Sequence, residues 1–269
     1  MAQNATEQGL VLDNLSAGYQ KKIIVDDISL TIPPEKMTVL VGANGCGKST
    51  LLSTIARLLQ PMGGTVLLEG KRIHEQPTKS VSRRLGILPQ SPLLPEGLTV
   101  FELVSRGRFP WQNFMRQWTD ADEQAVEEAL RLTGTQEYAH LPVESLSGGQ
   151  RQRCWIAMAL AQQTSYILLD EPTTYLDLRY QVEILELLHD LTRHHGRTVV
   201  VVLHDLNFAV NYGDTLVFLR EGKVKSVLNE DDVCTPELIK AVFDVDVQMS
   251  INPVTGKPFF MPFRRAGKA

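Results

Sequence analysis

The chain has 269 residues, is 43% hydrophobic and carries a formal net charge of −4. That is enough for a large core, in one domain or one domain with a subdomain, and no basic stripe argues for a nucleic-acid partner. The three cysteines (Cys46, Cys154, Cys234) are scattered without metal spacing and fit a reducing cytoplasm.

Residues 1–9 are polar, with none of the apolar centre of a signal peptide. Asn4-Ala5-Thr6 and Asn14-Leu15-Ser16 match the glycosylation pattern, which has no use in a cytoplasmic chain. The longest strongly apolar run, Val199 to Leu203, is far short of the ~20 residues of a membrane span.

Residues 10–32 read as short strands: Leu10–Leu12, Ile23–Val25 and Ile28–Ile32. Tyr19 in the first loop is either an ordinary surface aromatic or a flat face for an adenine ring. Pro33-Pro34-Glu35-Lys36 is a turn, and Met37 to Val41 is a run suited to a buried strand. Gly42-Ala43-Asn44-Gly45-Cys46-Gly47-Lys48-Ser49-Thr50 follows and fits Gly-x4-Gly-Lys-Ser/Thr, the phosphate-binding P-loop. Its glycines let successive N–H groups point at phosphate oxygens, and the helix N-terminus adds partial positive charge. Lys48 would reach the β- and γ-phosphates, and the Ser49 hydroxyl would ligate Mg²⁺.

Leu51, Leu52, Ile55 and Leu58-Leu59 repeat at helical spacing, which predicts a helix running to the breaker Gln60-Pro61-Met62-Gly63-Gly64. Thr65–Leu68 and Lys71–Ile73 form a hairpin, and Leu85–Leu88 is a buried strand delivering Gln90 at its C-terminal end. Residues 91–145 turn helical. Thr99 opens one helix with a capping box to Glu102, and Thr119 caps another that runs to Gly134. The acidic residues of that second helix (Asp120, Asp122, Glu123, Glu127, Glu128) read as a solvated face. Arg106-Gly107-Arg108-Phe109-Pro110-Trp111 is either core plus surface or a docking patch.

In Leu146-Ser147-Gly148-Gly149-Gln150, Ser147 and Gln150 form a capping box at a glycine-rich helix start; the site is a well-capped helix or an anion site. Tyr166 to Leu169 is an apolar strand ending in Asp170 and Glu171. Asp170 would hold the Mg²⁺ shell, and Glu171 is left to act on water. A helix from about Leu178 to His195 buries Ile184, Leu188 and Leu191, with His189, His194 and His195 at the surface. Thr198–Leu203 is a strand ending in His204, which either senses a γ-phosphate or is a satisfied core histidine. A hairpin around Arg220–Lys223, a short helix from Thr235-Pro236 and a strand pair over 245–263 complete the chain, with Arg264, Arg265 and Lys268 in a frayed end.

With Ser147–Gln150 lying between a P-loop and Asp170-Glu171, nearly the whole chain resembles the ATP-binding subunit of ABC transporters. Tyr19, the P-loop, Gln90, the Leu146–Gln150 signature, Asp170-Glu171, Leu176-Asp177 and His204 occur in the expected order. The P-loop wording, Arg106–Pro110, Leu203–Asn207 and the Asn252-Pro253 tail resemble the iron–siderophore, haem and vitamin B12 uptake group. Ala43 stands where relatives usually carry Pro, and Trp111 replaces a frequent His.

The resemblance implies an α/β fold, the P-loop NTPase ABC cassette: a mixed sheet core with an antiparallel β subdomain and an inserted helical subdomain. Residues 1–90 and 163–228 would be the two parts of the ATP-binding core. Residues 91–145 would be the helical subdomain, extending into the signature helix to about 162, and 229–269 a C-terminal extension. Two ATP molecules with Mg²⁺ would lie in a homodimer, each against the P-loop of one copy and Ser147, Gly149 and Gln150 of the other. Glu171 would polarise water, His204 would orient it, Gln90 would link Mg²⁺ to the helical subdomain and Asp177 would act across the dimer. The expected partners are transmembrane permease subunits on the cytoplasmic side of a bacterial membrane and, indirectly, a periplasmic or surface substrate-binding protein, with no nucleic acid. A ferric siderophore is the preferred cargo, against haem, cobalamin, another ABC transporter or a non-transport ABC ATPase.

Overall fold

A computed structural model describes residues 9–90, 92, 96–112, 118–174 and 176–263. The polar stretch before residue 9, its Asn4-Ala5-Thr6 triplet and the Arg264, Arg265 and Lys268 end lie outside the described residues. In chain order the strands and helices are β1 (Leu10–Tyr19), β2 (Lys22–Ile32), β3 (Met37–Gly42), α1 (Lys48–Ile55), β4 (Gly63–Leu68), β5 (Lys71–Arg72), α2 (Thr78–Ser82), β6 (Leu85–Leu88), α3 (Val100–Ser105), α4 (Asp120–Leu132), α5 (Gly148–Ala161), β7 (Tyr166–Asp170), α6 (Leu178–Arg193), β8 (Thr198–Val202), α7 (Leu206–Tyr212), β9 (Thr215–Arg220), β10 (Lys223–Leu228), α8 (Pro236–Phe243), β11 (Val247–Ile251) and β12 (Pro258–Pro262). The chain divides into two compact units, Met1–Glu75 with Val200–Ala269, and Gln76–Val199.

The first unit holds an antiparallel sheet ordered β2-β1-β4-β5. Its first two strands are long and continuous rather than the three short runs expected. The expected breaks are absorbed as bulges: the β1–β2 register shifts between Leu12 and Leu15 and again around Ala17. Asn14 and Asp27 take positive φ, and the Asn14 carboxamide donates to Asp27 Oδ1 at 2.8 Å. A bulge of this kind admits an extra polar residue without ending the pairing. Gln20 and Lys21, both at positive φ, close the hairpin in two residues.

The same unit contains β3 pairing parallel with β9, and β9 pairing antiparallel with β10. Every residue of β3 is buried, as its uninterrupted apolar run requires. α1 packs on β1, β2 and β3. It ends at Ile55, short of the expected Leu58-Leu59. Arg57 adopts φ 63°, the amides of Leu58 and Leu59 turn back to the Ser53 carbonyl, and Leu58 is 64% exposed. The apolar spacing persisted past the point where the backbone left the helix. The expected hairpins β9–β10 and β11–β12 are present, and Thr235 caps α8 by accepting from the Leu238 amide.

In the second unit β6 and β7 pair in parallel with all five β7 residues buried. α3 and α4 both pack on α5. The capping box expected at Thr99 forms, and Thr119 caps α4 as expected, with Asp122 at the third helical position completing a box there too. Asp120, Glu123, Glu127 and Glu128 are exposed, as expected of a solvated acidic face, but Asp122 departs from it. It is 0% exposed, accepts from Arg108 Nε at 3.0 Å and from the Thr119 hydroxyl at 2.7 Å, and so serves as both cap and core ion-pair partner. Arg108 also donates to the Ala161 carbonyl and the Gln163 side chain, while neighbouring Phe109 is 78% exposed. The arginine–aromatic stretch is therefore core at Arg108 and surface at Phe109.

Candidate functional site

The P-loop is built from the end of β3 and the start of α1. Gly45 takes φ 76°, and a β-carbon added there would meet nothing within 4 Å, so the turn borders open space. Gly47, the residue before α1, takes φ 107°, and a β-carbon there would come 2.5 Å from Val25. An L side chain is strained at that φ and excluded by that contact. Lys48 is only 5% exposed, and its ammonium donates to the carbonyls of Gly42 at 2.8 Å and Ala43 at 3.0 Å. Cys46 Sγ lies 3.9 Å from the same nitrogen. No acidic side chain occupies the first turn of α1. A buried ammonium held by loop carbonyls at an uncapped helix N-terminus fits the polyphosphate of ATP.

A support that sequence reasoning missed lies in the β9–β10 turn. The Gly222 amide donates to the Cys46 carbonyl at 3.1 Å, and the Gly222 carbonyl accepts from Asp26 at 2.9 Å. Gly222 takes φ 75°, and a β-carbon would sit 2.2 Å from the Ile24 carbonyl oxygen. The Glu221-Gly222 dipeptide signals a turn, but nothing in its wording says that the turn touches the P-loop. A recess of about 290 Å³ is lined by Ala43–Cys46 on one side and Arg220, Glu221 and Val242–Asp244 on the other.

Tyr19 closes β1 and is 52% exposed. His204 is exposed just after β8, and the following Asp205 caps α7 by accepting from the Phe208 amide at 2.9 Å. α7 itself was not foreseen, because its seven residues have no long apolar repeat.

In the second unit Asp170 is the buried last residue of β7, and Glu171 follows at φ 53°. That left-handed turn sends the Glu171 carboxylate toward the end of parallel β6. There Gln90 Nε2 donates to Glu171 Oε2 at 2.5 Å, and the Thr174 hydroxyl donates to the same oxygen at 3.2 Å. Gln90 is thus in direct contact with the acidic strand end, a pairing that the sequence reading did not include. Thr174 was not singled out from sequence.

Ser147 caps α5: its hydroxyl accepts from the Gln150 amide at 3.3 Å, and Gln150 Oε1 accepts from the Ser147 amide at 2.9 Å. Ser147 and Gly148 are exposed, whereas Gly149 is buried against Tyr180. Asp177 caps α6 by accepting from the Tyr180 amide at 3.0 Å. Among the described residues there is no cluster of three or more His, Cys, Asp and Glu side chains that could hold a metal, and no helix long and apolar enough to cross a membrane.

The ABC transporter family model matches residues 25–174. The chain belongs to that family. It is 51% identical over 253 residues to the probable siderophore transport system ATP-binding protein YusV of Bacillus subtilis, covering 94% of this chain and 92% of that protein. It is 47% identical over 254 residues to the iron(3+)-hydroxamate import ATP-binding protein FhuC of the same organism, covering 94% of each. Among solved structures, a dimeric ATP-binding cassette in a post-hydrolysis state with ADP and Pi matches with a TM-score of 0.74 at 29% identity, covering 83% of this chain and 99% of that one. The chain is an ABC ATPase cassette with a mixed sheet, an antiparallel β part and a helical part.

Proposed function

We propose that this cassette is the ATP-hydrolysing subunit of an importer for iron chelates, with a ferric siderophore as cargo. Similarity over 94% of the chain to a probable siderophore transport ATP-binding protein and to an iron(3+)-hydroxamate import ATP-binding protein carries this reading, and the ATPase residues present in the chain support it. Lys48 binds the β- and γ-phosphates, and the P-loop amides hold their oxygens. Glu171, steadied by Gln90 and Thr174, polarises the attacking water and takes up its proton. His204 orients that water and the γ-phosphate, and Tyr19 stacks on adenine.

Ser49, Gln90 and Asp170 each carry the oxygen donor that suits Mg²⁺, a hard cation that completes its shell with phosphate and water rather than a protein cage, and are the residues that would hold it. Mg²⁺ held by them would supply charge neutralisation at the phosphates.

The chain works as a homodimer in which Ser147, Gly149, Gln150 and Asp177 of one copy face the nucleotide of the other. Residues 91–145 form the subdomain that carries the motion to transmembrane permease subunits. A substrate-binding protein outside the membrane delivers the cargo, and the chain sits on the cytoplasmic face through its permease. ATP shifts the dimer toward closure only by its differential affinity for the closed state.

Affinity purification of the tagged chain from solubilised membranes of iron-starved and iron-replete cells tests this. A polytopic permease that rises on starvation supports the proposal. A permease indifferent to iron discards iron as cargo, and ribosomes in its place discard transport.

A further inference from the structure

Gly149 does not owe its identity to backbone conformation, since its φ is not positive. A β-carbon there would lie 2.8 Å from Cδ2, 3.0 Å from Cγ and 3.2 Å from Cε2 of Tyr180, far inside van der Waals contact. The first turn of α5 therefore rests directly on an aromatic ring. That ring is held in place. The Tyr180 amide donates to Asp177 Oδ1 at 3.0 Å, fixing the residue in the first turn of α6. The Arg153 guanidinium, one turn along α5 from Gly149, lies over the ring with its central carbon 5.2 Å from the centroid. Arg153 in turn meets Glu183, one turn along α6, at 3.6 Å.

We infer that Tyr180 is a positioning residue that sets the signature turn at Ser147–Gln150 in register with Asp177. Both segments are ones the proposed function aims at the second copy's nucleotide, and the inference rests on that reading. One side chain supplies the packing surface for one segment and the capped amide for the other. A displacement of either would be transmitted through the ring, and misplacement of about 1 Å is enough to cost a catalytic geometry on the order of a hundredfold. The contacts that support the P-loop, from Ile24, Val25 and Gly222, do not include Tyr180, so ATP capture by a single chain should be independent of it.

The test uses the full chain carrying Glu171→Gln, with Tyr180→Ala, Tyr180→Leu, Tyr180→Phe, Gly149→Ala and the Gly149→Ala/Tyr180→Ala pair added. Binding of a fluorescent ATP analogue to monomer is read alongside ATP-dependent dimerisation by light scattering. ATPase rates are read in the same variants without Glu171→Gln. Tyr180→Ala and Tyr180→Leu are expected to bind the analogue as the parent does but to need about tenfold or more ATP to dimerise, with ATPase falling in step. Tyr180→Phe keeps the ring and matches the parent. Gly149→Ala fails to dimerise, and adding Tyr180→Ala removes the clash, so the double variant dimerises better than Gly149→Ala alone.

Normal dimerisation of both Tyr180→Ala and Tyr180→Leu would overturn the inference, as would a double variant no better than Gly149→Ala. A parent that stays monomeric at saturating ATP would overturn the dimer reading and the inference with it. A dimerising parent with unaffected Tyr180 variants would overturn the inference alone.

Discussion

Gln90 and Glu171 lie at the ends of neighbouring parallel strands, and the Gln90 amide donates to the Glu171 carboxylate at 2.5 Å. The contact exists because Glu171 leaves β7 at positive φ, which turns its side chain out of the strand's alternation. A base held in this way should depend on its holder. Gln90→Ala is expected to lower kcat about tenfold, while Glu171→Gln removes the base and lowers it by about 10²–10⁴. Nucleotide binding, which belongs to the P-loop, should persist in both. Steady-state ATPase with parallel nucleotide binding checks this, and a Glu171→Gln variant turning over at the normal rate would take Glu171 out of the base role.

The Arg108–Asp122 pair predicts a stability effect away from that chemistry. Both side chains are nearly solvent-free. Burial on its own raises the Asp122 pKa, but hydrogen bonds from Thr119 and Arg108 outweigh it and hold the carboxyl below its ordinary value. A depressed carboxyl pKa stabilises the fold above the unfolded value of about 4, and that stability is lost as pH falls through the folded value. Asp122→Ala leaves Arg108 buried without its carboxylate and should cost about 3–5 kcal/mol. Chemical denaturation at neutral pH measures the loss, and the gap between wild type and variant should shrink as the solution is acidified.

The cysteines separate by environment. Burial pushes the Cys154 and Cys234 thiols up to about 12, so neither supplies thiolate in the folded protein at neutral pH. Alkylation of these two should appear only on unfolding. Modification of Cys46, 3.9 Å from the Lys48 ammonium, should block ATP binding. Mass spectrometry of partly alkylated protein with matched ATP binding checks both, and protein modified at Cys46 that binds ATP normally would refute the second.

Gly222→Ala is expected to weaken ATP binding although the residue lies about 175 positions from the P-loop in sequence. Its new methyl would collide with the Ile24 carbonyl at a φ unsuited to L residues, at a cost of about 1–3 kcal/mol. The hydrogen bond to Cys46 O would be displaced with it. A thermal melt and a nucleotide titration of the variant measure both consequences.

Most elements were legible because their signals are local. The β3 and β7 runs are buried on both faces and read as continuous apolar stretches, and the caps at Thr99, Thr119, Ser147 and Thr235 follow from residue chemistry alone. Asp122 was misread because a charged residue in a first helical turn looks solvated unless the arginine that buries it, fourteen positions away, is known to be its neighbour. The end of α1 was misplaced because apolar spacing does not report a backbone that turns at Arg57. The Gly222–Cys46, Gly149–Tyr180 and Thr174–Glu171 contacts depend on tertiary placement or on an exact turn geometry that no spacing rule encodes.

The most direct measurement is uptake of radiolabelled ferric siderophore by iron-starved cells lacking this chain, complemented with wild type, Lys48→Ala or Glu171→Gln. Restoration by wild type alone is the predicted result, because cargo movement would then require this chain's own ATP hydrolysis. Uptake undiminished without the chain, or restored equally by Glu171→Gln, would contradict it.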